Sequence, residues 1–275
     1  MTSVLGVHGV GNYDPTATDE SRAASWSASL RHGFGDGPIP AFDLAIAYYA
    51  PALHLATAQG PRNVEQLTAD QADDVWEWLV ASGLPQTATQ GHGAKPIRQA
   101  LEWFARTFDL DQRAVERLVT RFFPEVGTYL HPNQARRRAE ARGIVGEAID
   151  RHTPRIILAH SLGSVVTYEA LWQNAHPEVD LLITLGSPLA MPTVVYDRLD
   201  PSPRDSPARK PPGVRRWVNV ADPGDVVSIL RPMTNYFDGI DQLLEPSIHV
   251  ADVHFARHYL SAPAVAALIG VELSR

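Results

Sequence analysis

The most informative absence in this chain of 275 residues is cysteine, of which there is none. Without cysteine, disulfides, thiolate nucleophiles and cysteine-ligated metal sites are all excluded. The sequence also lacks an apolar run of transmembrane length, and its first residues lack the basic and apolar regions of a secretory signal. We therefore expect no membrane span and a cytoplasmic location.

Positive charge is also scarce, since 24 lysines and arginines stand against 31 acidic residues, a formal net charge of -7. Proteins that bind nucleic acids usually carry a basic stripe, so we expect no nucleic-acid partner. The hydrophobic content of 44% is that of an ordinary globular protein. A chain of this length can bury a sizeable core, and we expect residues 1–275 to form a single domain.

Short apolar runs predict the strands of a parallel sheet, because they are almost continuously apolar, as in strands that are covered on both faces. The runs are residues 4–7, 42–49, 155–159, 181–185 and 216–220. Helical patterns lie between them, one starting at Asn133 as its N-cap and running to about Ile149, another covering 162–172. This alternation predicts an α/β fold with a mostly parallel, twisted sheet and helices on both faces.

One segment, about 61–130, shows helical patterns and no clear strand. We predict one helix over 64–80, a second with an apolar stripe from Ile97 to Phe108, and a third that ends at Pro124, since proline breaks helices. We expect this insertion to form a cap above the carboxyl ends of the strands. Its tryptophans are interpreted as packing residues rather than substrate contacts: Trp76, Trp78 and Trp103.

The strongest chemical signal is Ser161, in the pattern Ala159-x-Ser161-x-Gly163 between an apolar strand and a helix. A sharp strand-to-helix turn needs small residues two positions either side of its central residue. This combination is typical of a nucleophile elbow, which exposes a reactive serine at the N-terminus of a helix. The alternative is that Ser161 only caps the helix.

A second signal is the turn His8-Gly9-Val10-Gly11, which directly follows the first strand. Acyl-transfer sites need two backbone N–H groups aimed at the developing oxyanion. Leu162, after the serine, would supply one and Val10 the other. The glycine spacing fits no phosphate-binding loop. We interpret His8 as structural and His160, beside the serine, as a packing residue.

The fifth strand is followed by Asp222-Pro223-Gly224-Asp225, which offers two candidates for an acid that orients a catalytic base. Both aspartates could instead be turn residues, because this tetrapeptide is strong turn chemistry. From the residues alone, Asp222 and Asp225 both remain open as the acid.

Three histidines then follow: His249, His254 and His258. The base must reach the serine, which favours a loop position before the last helix, and His254 fits this best. The alternative is a zinc site, since His254 and His258 are four residues apart with Asp252 nearby. The sequence has no H-E-x-x-H motif, and zinc would leave the serine motif unexplained.

Outside the insertion, the sequence resembles the lipase and esterase branch of the α/β-hydrolases. The elbow with alanine first, the turn Leu185-Gly186-Ser187-Pro188, and a histidine five residues before Tyr259-Leu260 are similar to pieces of those enzymes. The resemblance implies that Asp225, just before two valines, is the acid. It also implies a fold without the first two strands of the larger members, as in minimal lipases. The early insertion departs from the family pattern, so no substrate class follows.

These observations lead us to expect a serine hydrolase that cleaves a carboxylic ester through an acyl-enzyme, with Ser161, Asp225 and His254 as triad. The expected partner is a small-molecule acyl substrate, and no cofactor or metal is needed. The same residues could serve an amidase, a peptidase or an acyltransferase. A non-catalytic, hydrolase-like binding protein is the alternative from another class.

Overall fold

The computed structural model describes residues 3–54, 61–85, 94–203, 207–228, 232–248 and 254–275. Six strands form its central sheet: β1 (Val4–Val7), β2 (Leu44–Ala47), β3 (Ile156–His160), β4 (Val179–Leu185), β6 (Val214–Val220) and β8 (Gln242–Leu244). Their order is β2-β1-β3-β4-β6-β8, and every neighbouring pair is parallel. The two-residue strands β5 (Ala208–Arg209) and β7 (Phe237–Asp238) pair separately.

The five predicted strands are confirmed. They form because their apolar residues supply two cores on opposite faces of the sheet. Ile156 and Leu158 of β3 belong to one core, whereas Ile157 and Ala159 belong to the other. Strand β8 was not predicted. It contains three half-buried residues at the sheet edge, too short and too polar for a recognisable apolar run.

Helices cover both faces of the sheet, as predicted. One face carries α1 (Asp19–Gly33), α8 (Ala256–Leu260) and α9 (Pro263–Leu273), and the other carries α6 (Ala135–His152) and α7 (Leu162–Gln173). A one-turn helix, α2 (Ala50–Leu53), follows β2. Among the described residues, no helix is both long and apolar enough to cross a membrane.

Helix α1 was missed, because its sequence has almost no apolar periodicity. Of its fifteen residues only Trp26, Leu30 and Gly33 are buried. The remaining signal is a capping box, in which Thr18 and Ser21 each accept a hydrogen bond from the other's backbone N–H.

Three insertion helices lie between β2 and β3: α3 (Ala69–Ala81), α4 (Ala94–Thr107) and α5 (Gln112–Leu130). Trp78 is buried where they meet, with its ring centroid 4.5 Å from that of Phe104 and 5.6 Å from that of Phe123. Trp76 and Trp103 are partly buried against the same core. This agrees with their interpretation as packing residues.

Three predicted helix boundaries were wrong. The helix predicted over 64–80 starts only at Ala69, because Val64–Gln66 form a separate 3₁₀ turn and Thr68 caps the helix. Helix α5 does not end at Pro124, because buried side chains continue on the same face at Val126, Tyr129 and Leu130. Their burial offsets the roughly 3 kcal/mol that an internal proline costs a helix. Asn133 is not the N-cap of α6, since residues Pro132–Gln134 form a 3₁₀ turn and the helix starts at Ala135.

Candidate active site

Four polar segments meet at the carboxyl ends of the central strands. The chain leaves β1 towards β2 on one side and returns to β3 on the other, so the loops after β1 and β3 flank the point where strand order reverses. Open α/β sheets bind their ligands at such a point. Ser161 follows β3 there, and the turn containing Asp222 and Asp225 follows β6.

Ser161 lies at a strained turn, with φ 53° and ψ -129°. A non-glycine residue in such a conformation costs about 1–3 kcal/mol, so its surroundings must hold it there. Its N–H donates to the carbonyl of Leu185 at 2.9 Å. The Ser164 hydroxyl donates to the carbonyl of Ser161 at 2.6 Å. Ser161 makes no side-chain capping bond to helix α7, so its hydroxyl is left for another partner.

The glycine of the elbow is required because the loop after β1 crosses it closely. A Cβ atom on Gly163 would lie 2.6 Å from the carbonyl oxygen of Val7 and would clash with that of His8. A Cβ atom on Gly9 would lie 2.6 Å from the Cβ atom of Ser161. The small residues of the motif therefore let two strand-end loops pack directly against each other.

The hydroxyl of Ser161 is hydrogen-bonded to His254, with 2.8 Å between Oγ and Nε2. The other ring nitrogen, Nδ1, lies 2.8 Å from Oδ2 and 3.0 Å from Oδ1 of Asp225. A carboxylate can only accept, so Nδ1 carries the proton and Nε2 accepts from the serine hydroxyl. Ser161 and Asp225 have no exposed surface, and the His254 side chain is 13% exposed.

Asp222 makes different contacts. Its carboxylate accepts from the N–H of Gly224 at 2.6 Å and from the N–H of Ile248. It therefore shapes its own turn and holds the segment near residue 248. Of the two aspartates, only Asp225 is hydrogen-bonded to His254.

The buried carboxyl of Asp225 is held in its charged form. Burial alone raises the pKa of Asp225, but the neighbouring His254, the Tyr259 hydroxyl and the Val227 N–H together hold that pKa below its ordinary value. Tyr259 donates to Oδ2 at 2.6 Å and Val227 donates to Oδ1 at 3.0 Å. A charged acceptor is thus maintained opposite Nδ1 of His254.

The backbone N–H groups of Val10 and Leu162 lie beside Ser161, and neither donates to a turn or loop carbonyl among the described residues. Leu162 is the first residue of α7, so its N–H has no intrahelical partner and lies at the positive end of the helix. Val10 belongs to the loop that packs on the elbow. Both amides are thus available to an acceptor from outside the protein.

Several contacts fix the loop that carries Val10. The hydroxyl of Tyr49 donates to the carbonyl of His8 at 2.9 Å, and the Asn12 side chain donates to the carbonyls of Gly9 and Val10 at 3.0 Å. The N–H of Gly11 donates to Glu125 of helix α5 at 2.8 Å. Glu125 joins the insertion to this loop.

The two other histidines near the elbow are buried. Burial lowers the pKa of His8 to about 4 and that of His160 to about 3, so both are neutral near pH 7. The His8 ring stacks on Tyr49, with centroids 4.3 Å apart. The His160 ring lies 5.1 Å from that of His254. Neither ring bonds to Ser161, in agreement with their interpretation as packing residues.

Two residues of the zinc alternative, His254 and His258, are described, and both make other hydrogen bonds. Both ring nitrogens of His254 are hydrogen-bonded to protein atoms, and His258 accepts from Arg257. Within the described residues, no group of three or more His, Asp or Glu side chains is arranged to hold a metal ion. His249 and Asp252 lie outside the described residues.

A cavity of about 940 Å³ adjoins the hydrogen-bonded residues. Val10, Asp225 and His254 lie in its wall, and residues of α5, including Leu118 and Arg121, form the side opposite the sheet. Ser161 lies just beneath this wall, because His254 covers its hydroxyl. The cavity is large enough for a small organic ligand.

Comparisons of the chain with protein-family models, curated proteins and solved structures found no significant match. The function of the site must therefore be argued from its geometry. Two participants were not predicted as site residues, although Tyr259 stood in a segment that resembles the family. Tyr259 and Glu125 contact their partners only through the tertiary fold, Glu125 across 114 residues of sequence.

Proposed function

We propose that this protein is a serine hydrolase of the α/β-hydrolase fold that cleaves carboxylic esters. The observation that carries the proposal is His254, which bridges the Ser161 hydroxyl and the Asp225 carboxylate with bonds of 2.8 Å on either side. The parallel sheet, the strained serine turn and the chain order serine, acid, histidine support the same fold assignment.

The proposed reaction has two steps. The Ser161 oxygen attacks the ester carbonyl while its proton moves to Nε2 of His254, and the N–H groups of Val10 and Leu162 stabilise the oxyanion. Collapse of this intermediate expels the alcohol, which takes the proton from Nε2. Water then attacks the acyl-enzyme with the same proton transfers, releasing the acid. Asp225 orients the imidazole and stabilises its charged form.

We further propose that the insertion, residues 61–130, acts as a cap. Its helix α5 supports this role by lining the cavity beside His254 and by binding the Val10 loop through Glu125. The acyl and alcohol groups would then be selected between α5 and the sheet. The cytoplasmic location stays a prediction from the sequence.

The decisive experiment is labelling with a small fluorophosphonate, followed by peptide mapping. We expect one adduct, on Ser161, which is absent from Ser161→Ala and from His254→Ala. Ser25, which lines the cavity without joining the hydrogen-bonded residues, supplies the control, and Ser25→Ala should label like the wild type. Folded wild-type protein that gains no adduct and hydrolyses no p-nitrophenyl ester would instead favour a hydrolase-like binding protein.

A further inference from the structure

Tyr259 is a buried side chain that joins the two aspartates after β6. Its hydroxyl donates to Oδ2 of Asp225 at 2.6 Å and accepts from the N–H of Asp222 at 3.0 Å. The direction of both bonds is settled by chemistry. The Asp222 N–H can only donate, so the single proton of the phenol must point at Asp225.

The surroundings are built to hold this pair. Gly186, at the end of β4, has φ 53°, and a Cβ atom on it would lie 2.7 Å from Oδ2 of Asp225 and 3.0 Å from the Tyr259 ring. Tyr259 has no exposed surface and does not line the cavity. Burial and the adjacent carboxylate raise the pKa of Tyr259 well above its ordinary value, so it stays a donor at all working pH values.

We propose that Tyr259 is a positioning residue, whose hydroxyl fixes the orientation and charge of Asp225 and so controls the basicity of His254. The inference rests on the proposed function. A donor at Oδ2 withdraws negative charge from the face of the carboxylate that meets Nδ1 of His254. Without that donor the carboxylate is more basic and less well oriented. It then stabilises the protonated imidazole of the free enzyme rather than the imidazolium that forms in the transition state.

The test compares Tyr259→Phe with Tyr129→Phe. Tyr129 is an ideal control, because it is equally buried and its hydroxyl also donates at 2.6 Å to a buried carboxylate, that of Glu169. We expect Tyr259→Phe to lower kcat about 10- to 100-fold, as for a lost bond to a charged group, with little change in KM. Tyr129→Phe should lose comparable stability and keep the wild-type kcat.

The pH profile distinguishes positioning from simple support. The acidic limb of kcat/KM reports the protonation of His254, and in Tyr259→Phe it should move to higher pH. Asp225 and His160 lie against His254, and the charged side chains that share its cavity wall include Asp222, Arg121 and Arg257; the variant retains all of them. In Tyr129→Phe the limb should stay in place.

A second variant keeps the proposal testable if Tyr259→Phe does not fold. Replacement of Tyr259 alone by 3-fluorotyrosine retains the ring and makes the hydroxyl a stronger donor. We expect the acidic limb to move to lower pH, opposite to the phenylalanine variant. An unmoved limb and unchanged kcat in the folded variants would overturn the positioning role, while labelling of Ser161 would show that the proposed function survives.

Discussion

The charged groups at the two ends of the central strands differ in their burial. At the carboxyl ends, Asp225 is completely buried, and each of its oxygens is held by defined donors. At the amino ends, Asp180 pairs with Arg155 at 2.9 Å and Arg215 at 3.3 Å, but the arginine side chains are 39% and 66% exposed. The hydrogen-bond distances at the two ends are similar. The two sites therefore differ in how deeply the carboxylate is buried and in how completely its oxygens are bonded.

The backbone is also held in uncommon conformations at the carboxyl ends. The turn after β3 has positive φ at Ser161, the turn after β4 has positive φ at Gly186, and glycine is required where loops cross at Gly163. Such strain is maintained only where the surroundings over-determine the conformation. Positive φ also occurs at the amino ends, at Thr153 before β3 and Gly213 before β6. What distinguishes the carboxyl ends is a strained serine beside a fully buried, fully hydrogen-bonded aspartate, and the following experiments test that contrast.

The largest expected effect is on turnover when the buried acid is changed. Asp225→Asn should lower kcat/KM about 10⁴-fold, since an amide no longer selects the Nδ1–H form of His254. Asp222→Asn should cost stability, because it disturbs the acceptors of two backbone N–H groups, and should reduce turnover less than tenfold. Ester hydrolysis and urea unfolding measure the two properties. Equal losses of turnover would contradict the roles assigned to the two aspartates.

The second effect tests the crossing of the two loops. Gly163→Ala should lower the free energy of unfolding by about 1–3 kcal/mol, because the new methyl group meets the backbone carbonyls of Val7 and His8. Gly143 in helix α6 is the matched control, since a Cβ atom there has no neighbour within 4 Å. Gly143→Ala should stabilise by about 0.5–1 kcal/mol. An unchanged free energy of unfolding in Gly163→Ala would mean that the loop after β1 does not pack tightly against Gly163.

The third effect is a loss of stability at acidic pH that is caused by the two buried histidines. The pKa of His8 is lowered from 6.5 to about 4 on folding, so between these values the unfolded chain binds the extra proton. Stability is therefore fully present above pH 6.5 and falls as the pH drops towards 4, by up to about 1.4 kcal/mol per pH unit for His8. His160 acts in the same direction, down to about pH 3.

His8→Phe isolates this contribution, because phenylalanine can keep the ring stacked on Tyr49 and cannot titrate. Urea unfolding at several pH values from 7 to 4.5 should give a shallower loss of stability for the variant, about half the wild-type slope from the two histidines. The same slope in both proteins would show that His8 is not buried as a neutral ring.

The smallest effect is expected at the amino ends. Asp180→Asn should change the free energy of unfolding by no more than about 1 kcal/mol, because partly exposed ion pairs are screened by water. In 1 M salt, where the Debye length is about 3 Å, the difference should vanish. A loss as large as that in Gly163→Ala would remove the contrast between the two ends.

Much of this arrangement could be predicted from the sequence, where the signal is local. The strands follow from apolar runs, and the elbow follows from small residues around Ser161. The proposed acid required more than local pattern, since Asp222 and Asp225 stand in one turn. The family resemblance favoured Asp225, and of the two only Asp225 is hydrogen-bonded to His254. The end of α5 was predicted wrongly at Pro124, because the burial of residues beyond it outweighs the tendency of proline to end a helix.

The hydrogen bond between Glu125 and Gly11 has a consequence for how the insertion can vary. It joins helix α5 to the loop that carries Val10, so the wall of the cavity is linked to one of the two proposed oxyanion donors. An outward shift of α5 would therefore displace that proposed donor. A redesign that replaces the insertion with a different one must therefore also supply an acceptor for the N–H of Gly11. Without that acceptor, a change in substrate range would come with a less well positioned Val10 loop.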